Sequence, residues 1–387
     1  MSIKDVCKNN CDIFLIGTGD LGSWVVEILS RLPGMEHKKI VVGDYNEESA
    51  RKRAFSAWSG TSFFGMSPEI KSEKVDLFNI DETGELLRKY NPRVIVNTTS
   101  LQSWWVVDEL PKDLWAKMET EAGLGPWIPM HLTLTYYLMQ AIKKYEIKAH
   151  VVNTSFPDLT NPVLGKIGLA PTCGIGNGDL LVPGITRGVA EKLDISPRNI
   201  TVYMVAQHSH DMQFSILGVP GSPYYVKIMV GDKDVTNQFN TDELIMAGVK
   251  DWFSGRQLHP LVASSVARNA WNFLFDTGRI ASCVPGPLGE IGGYPARITP
   301  NGLTIELPEG ITMEEARKIN EESQKKDGVE RIKEDGTIVF TDQSHQLMKE
   351  IMGYDCKTLK ITESKERYKE LLAKYAELKK KYNISQN

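Results

Sequence analysis

The sequence predicts an α/β protein: a doubly wound parallel sheet in the first part of the chain, then a second, α+β domain. Two observations predict it. A glycine-rich turn, Gly17-Thr18-Gly19-Asp20-Leu21-Gly22, sits between an apolar run and an amphipathic stripe. Short apolar runs then alternate with helical stripes as far as Val152, and beyond that point the alternation stops.

Ile13 to Ile16 reads as a buried parallel strand, because a strand covered on both faces is uniformly apolar. In "SWVVEILSRLPG", Val25, Val26, Ile28, Leu29 and Leu32 share one helical face, and Pro33-Gly34 ends it. Ile40 to Val42 gives the second strand and Val75 to Ile80 the third. Glu82 to Tyr90 follows as a helix, and Arg93 to Ser100 as the next strand with its exit loop. Leu132 to Lys144 reads as a long helix, and Ala149 to Val152 as the strand after it.

The turn has the chemistry of a nucleotide loop. Gly17 makes the tight turn, Gly19 lets backbone approach a pyrophosphate, and Gly22 lets helix pack against strand. Thr18, Asp20 and Leu21 complete the loop, and the helix N-terminus offers unpaired N–H groups to negative charge. Asp44 ends the second strand 22 residues after Gly22. A carboxylate there accepts from ribose hydroxyls and repels a 2′-phosphate, so the expected cofactor is NAD rather than NADP. Arg51, Lys52 and Arg53 read as a solvated helix face. Asn97 and Thr98 close their strand at the carboxyl edge, where such sheets bind ligands, and are read as further cofactor contacts.

At 387 residues the chain is long enough for two domains. The net charge of −4 shows no basic excess that would point to nucleic acid. No apolar stretch is long enough to span a bilayer, and "MSIKDVCKNNCD" lacks the apolar core of a signal peptide. Five scattered cysteines (Cys7, Cys11, Cys173, Cys283 and Cys356) make no disulfide framework, so a cytoplasmic protein with reduced thiols is expected. Cys7 and Cys11 have no second pair nearby at zinc-ligand spacing.

Four later segments follow in order: "VVNTSFPDLTNPVLGKIG", "PTCGIGNGDLLVPGIT", "NITVYMVAQHSHDMQF" and "YPARITPNGLTIELPEGITMEEA". With the nucleotide turn, they resemble the NAD-dependent lactate and malate dehydrogenase superfamily over residues 10 to 325. That superfamily also includes the family 4 NAD-dependent glycosidases. The resemblance implies an NAD-binding Rossmann domain at 1–155, with an aromatic insertion at about 101–130. It implies a catalytic α+β domain of the lactate/malate dehydrogenase type at 156–355 and a C-terminal amphipathic helix at 356–387. It further implies His208 as catalytic acid or base, Asp179 as the carboxylate that orients it, and Asn153 as a donor to the substrate oxygen. Histidine titrates near neutral pH and suits that task.

The departures bear on substrate. The loop "LQSWWVVDELPKDLWAKMETEAGLGPWIPMHL" contains no arginine, and Val182 stands where the resemblance places a second one. Without a bidentate carboxylate clamp, a secondary alcohol or ketone, such as a polyol or sugar derivative, is expected over a simple 2-hydroxy acid. The insertion instead carries Trp104, Trp105, Trp115 and Trp127. Trp105, His131, His210 and His259 are candidate substrate contacts. An alternative implied by the resemblance is a family 4 glycosidase, with Mn2+ held by Cys173 and His208, although Gly174 follows Cys173 where a histidine is expected. A third reading is a non-catalytic, NAD-sensing interaction protein. In the tail, Tyr368, Leu371, Tyr375, Leu378 and Tyr382 form an a/d seam. Family habit and this seam imply a homodimer or homotetramer acting on a small molecule.

Overall fold

β1 (Ile13–Ile16) is buried along its whole length and hydrogen-bonds in parallel to β2 (Lys39–Asp44) on one side and β4 (Val94–Asn97) on the other in this computed structural model, which describes residues 10–218 and 221–384. Cys7 lies outside the described residues. Between these strands run α1 (Asp20–Leu29), α2 (Glu47–Ser62), β3 (Glu69–Lys74) and α3 (Ile80–Tyr90). Then follow α4 (Lys112–Glu121), α5 (Pro129–Lys144), β5 (His150–Asn153), α6 (Pro157–Gly165) and β6 (Cys173–Gly174). The parallel sheet has the order β3-β2-β1-β4-β5-β6. The chain winds outward from β1 one way, returns to β4 and winds the other way. That reversal leaves a crevice at the carboxyl ends of the central strands.

One strand differs from the sequence expectation. The third strand is Glu69–Lys74, "EIKSEK", and not Val75 to Ile80. It is the sheet's edge, where polar side chains are tolerated. Val75 and Leu77 are buried in the turn after it, and Val75 fills the space left by Gly43. Their apolarity reflects packing, not pairing.

The second part begins with α7 (Gly178–Leu193), β7 (Ile200–Val205) and a short helix, α8 (His208–Met212). β8 (Tyr225–Val230), β9 (Lys233–Asp234) and α9 (Thr241–Val249) complete an antiparallel layer around Leu181, Ile185, Met204, Phe214 and Leu244. α10 (His259–Asn272) returns to pack on α1, so the two parts share one apolar cluster. β10 (Ile280–Pro285), β11 (Gly293–Thr299) and β12 (Gly302–Ile305) form a second antiparallel sheet, bridged to the first by Ala206 and Gly293.

After α11 (Met313–Ser323) the chain builds a third small sheet from β13 (Val329–Ile332), β14 (Ile338–Phe340) and β15 (Thr358–Leu359), with α12 (Asp342–Met352) and α13 (Ser364–Lys381). Val329, Phe340, Leu347, Leu371, Tyr375 and Leu378 join the same core as Phe14, Ile16 and Trp127. The C-terminal segment therefore folds back on the part of the chain that holds the parallel sheet. On α13 the seam residues Leu371, Tyr375 and Leu378 are buried, while Tyr382 is exposed. Tyr375 Oη donates to the Val106 carbonyl at 2.7 Å and Lys379 Nζ to Glu109 at 2.5 Å, so the tail clasps the insertion. No described helix is long and apolar enough to cross a membrane. The four described cysteines are free and buried.

Candidate active site

The turn after β1 is shaped by close contacts. Gly17 holds φ +102°, and a Cβ on Gly22 would lie 2.0 Å from the Gly17 carbonyl oxygen. Both positions therefore need glycine. Thr98 Oγ1 donates to that same carbonyl at 2.7 Å. Gly19 differs: a Cβ there would meet nothing within 4 Å. Among the described residues no side chain caps α1, whose N-cap is this same Gly19. Uncapped N–H groups beside an open glycine are what a pyrophosphate requires. Asp44 ends β2 and accepts from the Thr18 N–H at 2.6 Å, from Thr18 Oγ1 at 2.8 Å and from the Asn46 N–H at 2.9 Å. The carboxylate expected at the ribose thus also holds the loop.

A cavity of about 630 Å³ opens beside this turn, bounded by Leu21 of α1, Thr154 after β5 and Gly176 after β6. Its volume is in the range of small-molecule sites. Trp104, Trp115 and Trp127 of the insertion wall one side, with Phe156, His131, Trp252 and Phe253. His208 and Asp211, one turn apart on α8, line it together.

His208 is held by Asp327. Its Nδ1–H donates to the two carboxylate oxygens, at 3.1 and 3.0 Å, which leaves Nε2 as the ring nitrogen on the cavity side. Gln207 Nε2 donates to the same carboxylate at 2.8 Å. Burial by itself would lower the His208 pKa. The Asp327 charge and hydrogen bond, helped by Asp158 and Asp211, outweigh it and carry the pKa up to about 9. Asp158 accepts the His208 backbone N–H at 3.1 Å. Glu119, Asp158 and Asp211 are pushed up to about 8, 6 and 7, in each case chiefly by burial.

Asp327 sits in the turn between α11 and β13, outside the stretch that resembles the dehydrogenases. It reaches His208 because backbone packs on backbone. A Cβ on Gly123 or Gly125 would lie 2.4 or 2.3 Å from Asp327 backbone atoms, and a Cβ on Gly328 2.0 Å from the Ala122 carbonyl oxygen. The end of the insertion is thus the seat for the C-terminal turn. "KKDGVE" reads as an ordinary Asp-Gly turn, so nothing local marks its carboxylate.

The expected partner, Asp179, does not reach His208. It lies in the first turn of α7 and accepts from Ser265 Oγ at 2.6 Å and Arg268 at 3.0 Å, which ties α7 to α10. Asn153 is fully buried: its amide donates to Asn161 Oδ1 and the Ser155 carbonyl, and its oxygen accepts from Asn97. In-register pairing of β4 and β5 sets Asn97 beside Asn153, and both serve the scaffold behind the cavity. Thr98 supports the loop from the same strand end. His210 lies on the opposite side of α8 from His208, because residues two apart on a helix diverge. It packs between Phe214 and Tyr224, where burial lowers its pKa to about 3. His259 accepts from Trp104 Nε1 at 3.2 Å and donates from Nδ1 to Asp20 at 2.8 Å, bracing the insertion against the loop. Trp105 lies under Arg256 and does not line the cavity. Of the four candidate substrate contacts only His131 does, and burial lowers it to about 4.

Cys173 is fully buried in the core of the parallel sheet, which pushes its thiol up to about 12. It does not join His208 on the cavity wall. Among the described residues, no group of three or more His, Cys, Asp or Glu side chains is arranged to hold a metal ion.

No protein-family model and no curated protein matches the chain in sequence. Solved structures do match. A lactate dehydrogenase from Eimeria maxima with NADH and oxamate is 16% identical with a TM-score of 0.56, covering 81% of this chain and 91% of that one. A malate dehydrogenase from Cryptosporidium parvum is 15% identical with a TM-score of 0.55, covering 82% and 98%. A lactate dehydrogenase from a Medee basin deep-sea metagenome is 14% identical with a TM-score of 0.56, covering 82% and 97%. The expected resemblance is thus present in three dimensions: the chain has the lactate/malate dehydrogenase-like fold, with a mixed α/β architecture built on a six-stranded parallel sheet.

Proposed function

We propose that this protein is an NAD-dependent oxidoreductase that interconverts a secondary alcohol and its ketone. The observation that carries the reading is a cavity lined by both Leu21, in the first turn of α1, and His208, which Asp327 holds. The likeness to a lactate dehydrogenase with NADH supports the choice of nucleotide. Gly17, Gly19, Gly22 and the first turn of α1 would hold the pyrophosphate, and Asp44 the ribose. When bound, NAD supplies a carbon that accepts or donates hydride.

The chain's residues handle the proton. With its pKa near 9 and Nδ1–H fixed on Asp327, His208 is protonated at neutral pH and presents Nε2–H to the cavity. It donates to the oxygen of a ketone as the carbonyl is reduced, and takes the hydroxyl proton back in the reverse direction. Carbonyl, hydride and one proton give the alcohol. The aromatic walls suit a large, partly apolar substrate, including the face of a sugar ring. Among the described residues no arginine lines the cavity, which supports a substrate other than a simple 2-keto acid.

Phe55 and Trp58 on α2, with Phe63 and Phe64 just beyond, are exposed. This aromatic stripe supports the homodimer or homotetramer reading, which light scattering tests. For the activity, NADH binding is followed by energy transfer from tryptophan, and a panel of ketones is screened for NADH oxidation. Binding of NADH over NADPH with turnover that His208→Gln abolishes supports the reading. Failure to bind either nucleotide refutes it.

A further inference from the structure

Asp211 has no hydrogen-bond partner among the described residues. Its residue is 7% exposed, its Oδ1 makes no hydrogen bond among the described residues, and it lines the cavity one turn from His208. A buried, unpaired carboxylate is costly unless something brought in from outside completes it. The His208 charge is already matched by Asp327, so the protein leaves Asp211 unmatched. Asp108 adds a second, exposed carboxylate, and among the described residues the one Lys or Arg lining the cavity is Lys112, which is also exposed. The missing partner is therefore positive or a strong donor. The donor set does not suit a metal ion, since the described residues offer no cluster of three ligands. Trp104, Trp115, Trp127 and Trp252 supply ring faces that attract an organic cation.

We propose that the cavity takes substrates bearing a protonated amine, whose ammonium group pairs with Asp211 against the tryptophan walls. This deepens the oxidoreductase reading and rests on the cavity being its substrate site. The substrate class becomes amino alcohols and amino ketones, with the reacting oxygen at His208 and the ammonium at Asp211. Burial holds the Asp211 pKa up at about 7, and a bound cation draws it down.

The test compares n-hexylammonium, n-hexanol and hexanoate, titrated by tryptophan fluorescence with and without NADH. Hexylammonium is expected to bind at least about tenfold tighter than the other two. Asp211→Asn should reduce that preference to about threefold or less, and Asp108→Asn should reduce it by a smaller factor. Equal or tighter binding of hexanol or hexanoate overturns the proposal. So does an Asp211→Asn protein with an unchanged melt and an unchanged preference. If that variant does not fold, the three wild-type affinities decide alone. NADH binding is read in the same samples. An ammonium preference without NADH binding upholds the cavity's specificity and sinks the oxidoreductase reading, whereas NADH binding without the preference does the reverse.

Discussion

Replacing Asp327 by Asn removes one charge and keeps the shape. Both Asp327 oxygens lie within 3.1 Å of His208 Nδ1, and the carboxylate is 1% exposed, so solvent screens little of the interaction. The pair lifts His208 from 6.5 to about 9. At 1.36 kcal/mol per pKa unit, this corresponds to about 3 kcal/mol of preference for the protonated form. Asn leaves the burial penalty in place, while Asp158 and Asp211 still pull upward. The midpoint should fall by about 2 units, to near 7. At pH 8 the protonated fraction then drops from roughly nine-tenths to about one-tenth.

Stability moves with it. A histidine raised in the folded state contributes stability that is fully present below 6.5 and is lost as pH rises through about 9. The variant should therefore be weaker than wild type by about 2–3 kcal/mol at pH 6 and nearly equal to it above pH 10. Nitrogen-detected NMR of the imidazole gives the midpoint, and urea unfolding at the two pH values gives the difference. A wild-type midpoint near 6.5, or a stability loss independent of pH, would refute the role of Asp327.

Four other outcomes are expected. Gly19→Ala should leave the melting temperature unchanged and weaken NADH at least about tenfold, because the new methyl meets no protein atom but intrudes on the open loop. Gly22→Ala should instead destabilise the fold by about 1–3 kcal/mol, since its Cβ overlaps the Gly17 carbonyl; equal melts for the two variants would refute the distinction. The buried cluster predicts falling stability from mildly acidic to alkaline pH. Glu119, Asp158 and Asp211 bind protons more tightly folded than unfolded, so their contribution is greatest below about pH 4 and is lost as pH rises through 6 to 8. Urea midpoints at pH 5.5 and 9 check it, and a higher midpoint at pH 9 would count against it. Tyr375→Phe should cost about 1 kcal/mol by leaving the Val106 carbonyl unpaired, and should speed amide exchange in residues 104–109. Unchanged exchange there would mean that the tail does not brace the insertion.

The parallel-sheet half was legible because its determinants are local. The uniform apolarity of Ile13–Ile16, the spacing of Gly17, Gly19 and Gly22, and the carboxylate 22 residues on are dictated by sterics within one βαβ unit. The edge strand Glu69–Lys74 was not legible, because an edge needs no apolar pattern and the buried Val75 and Leu77 beside it offered one. His208, singled out in its polar turn, does line the cavity, but the carboxylate that holds it could not be read from the sequence. Asp179 had the expected surroundings, yet Arg268 and Ser265 claim it. Asp327 lies 119 residues from His208 and carries no motif. Its role exists only because Gly123, Gly125 and Gly328 let two turns pack backbone to backbone. The sequence by itself determined the parallel sheet and the shape of its glycine turn. Tertiary packing decided which carboxylate charges His208 and which, among the described residues, is left unpaired in the cavity, because a pKa depends on neighbours in space and not in the chain.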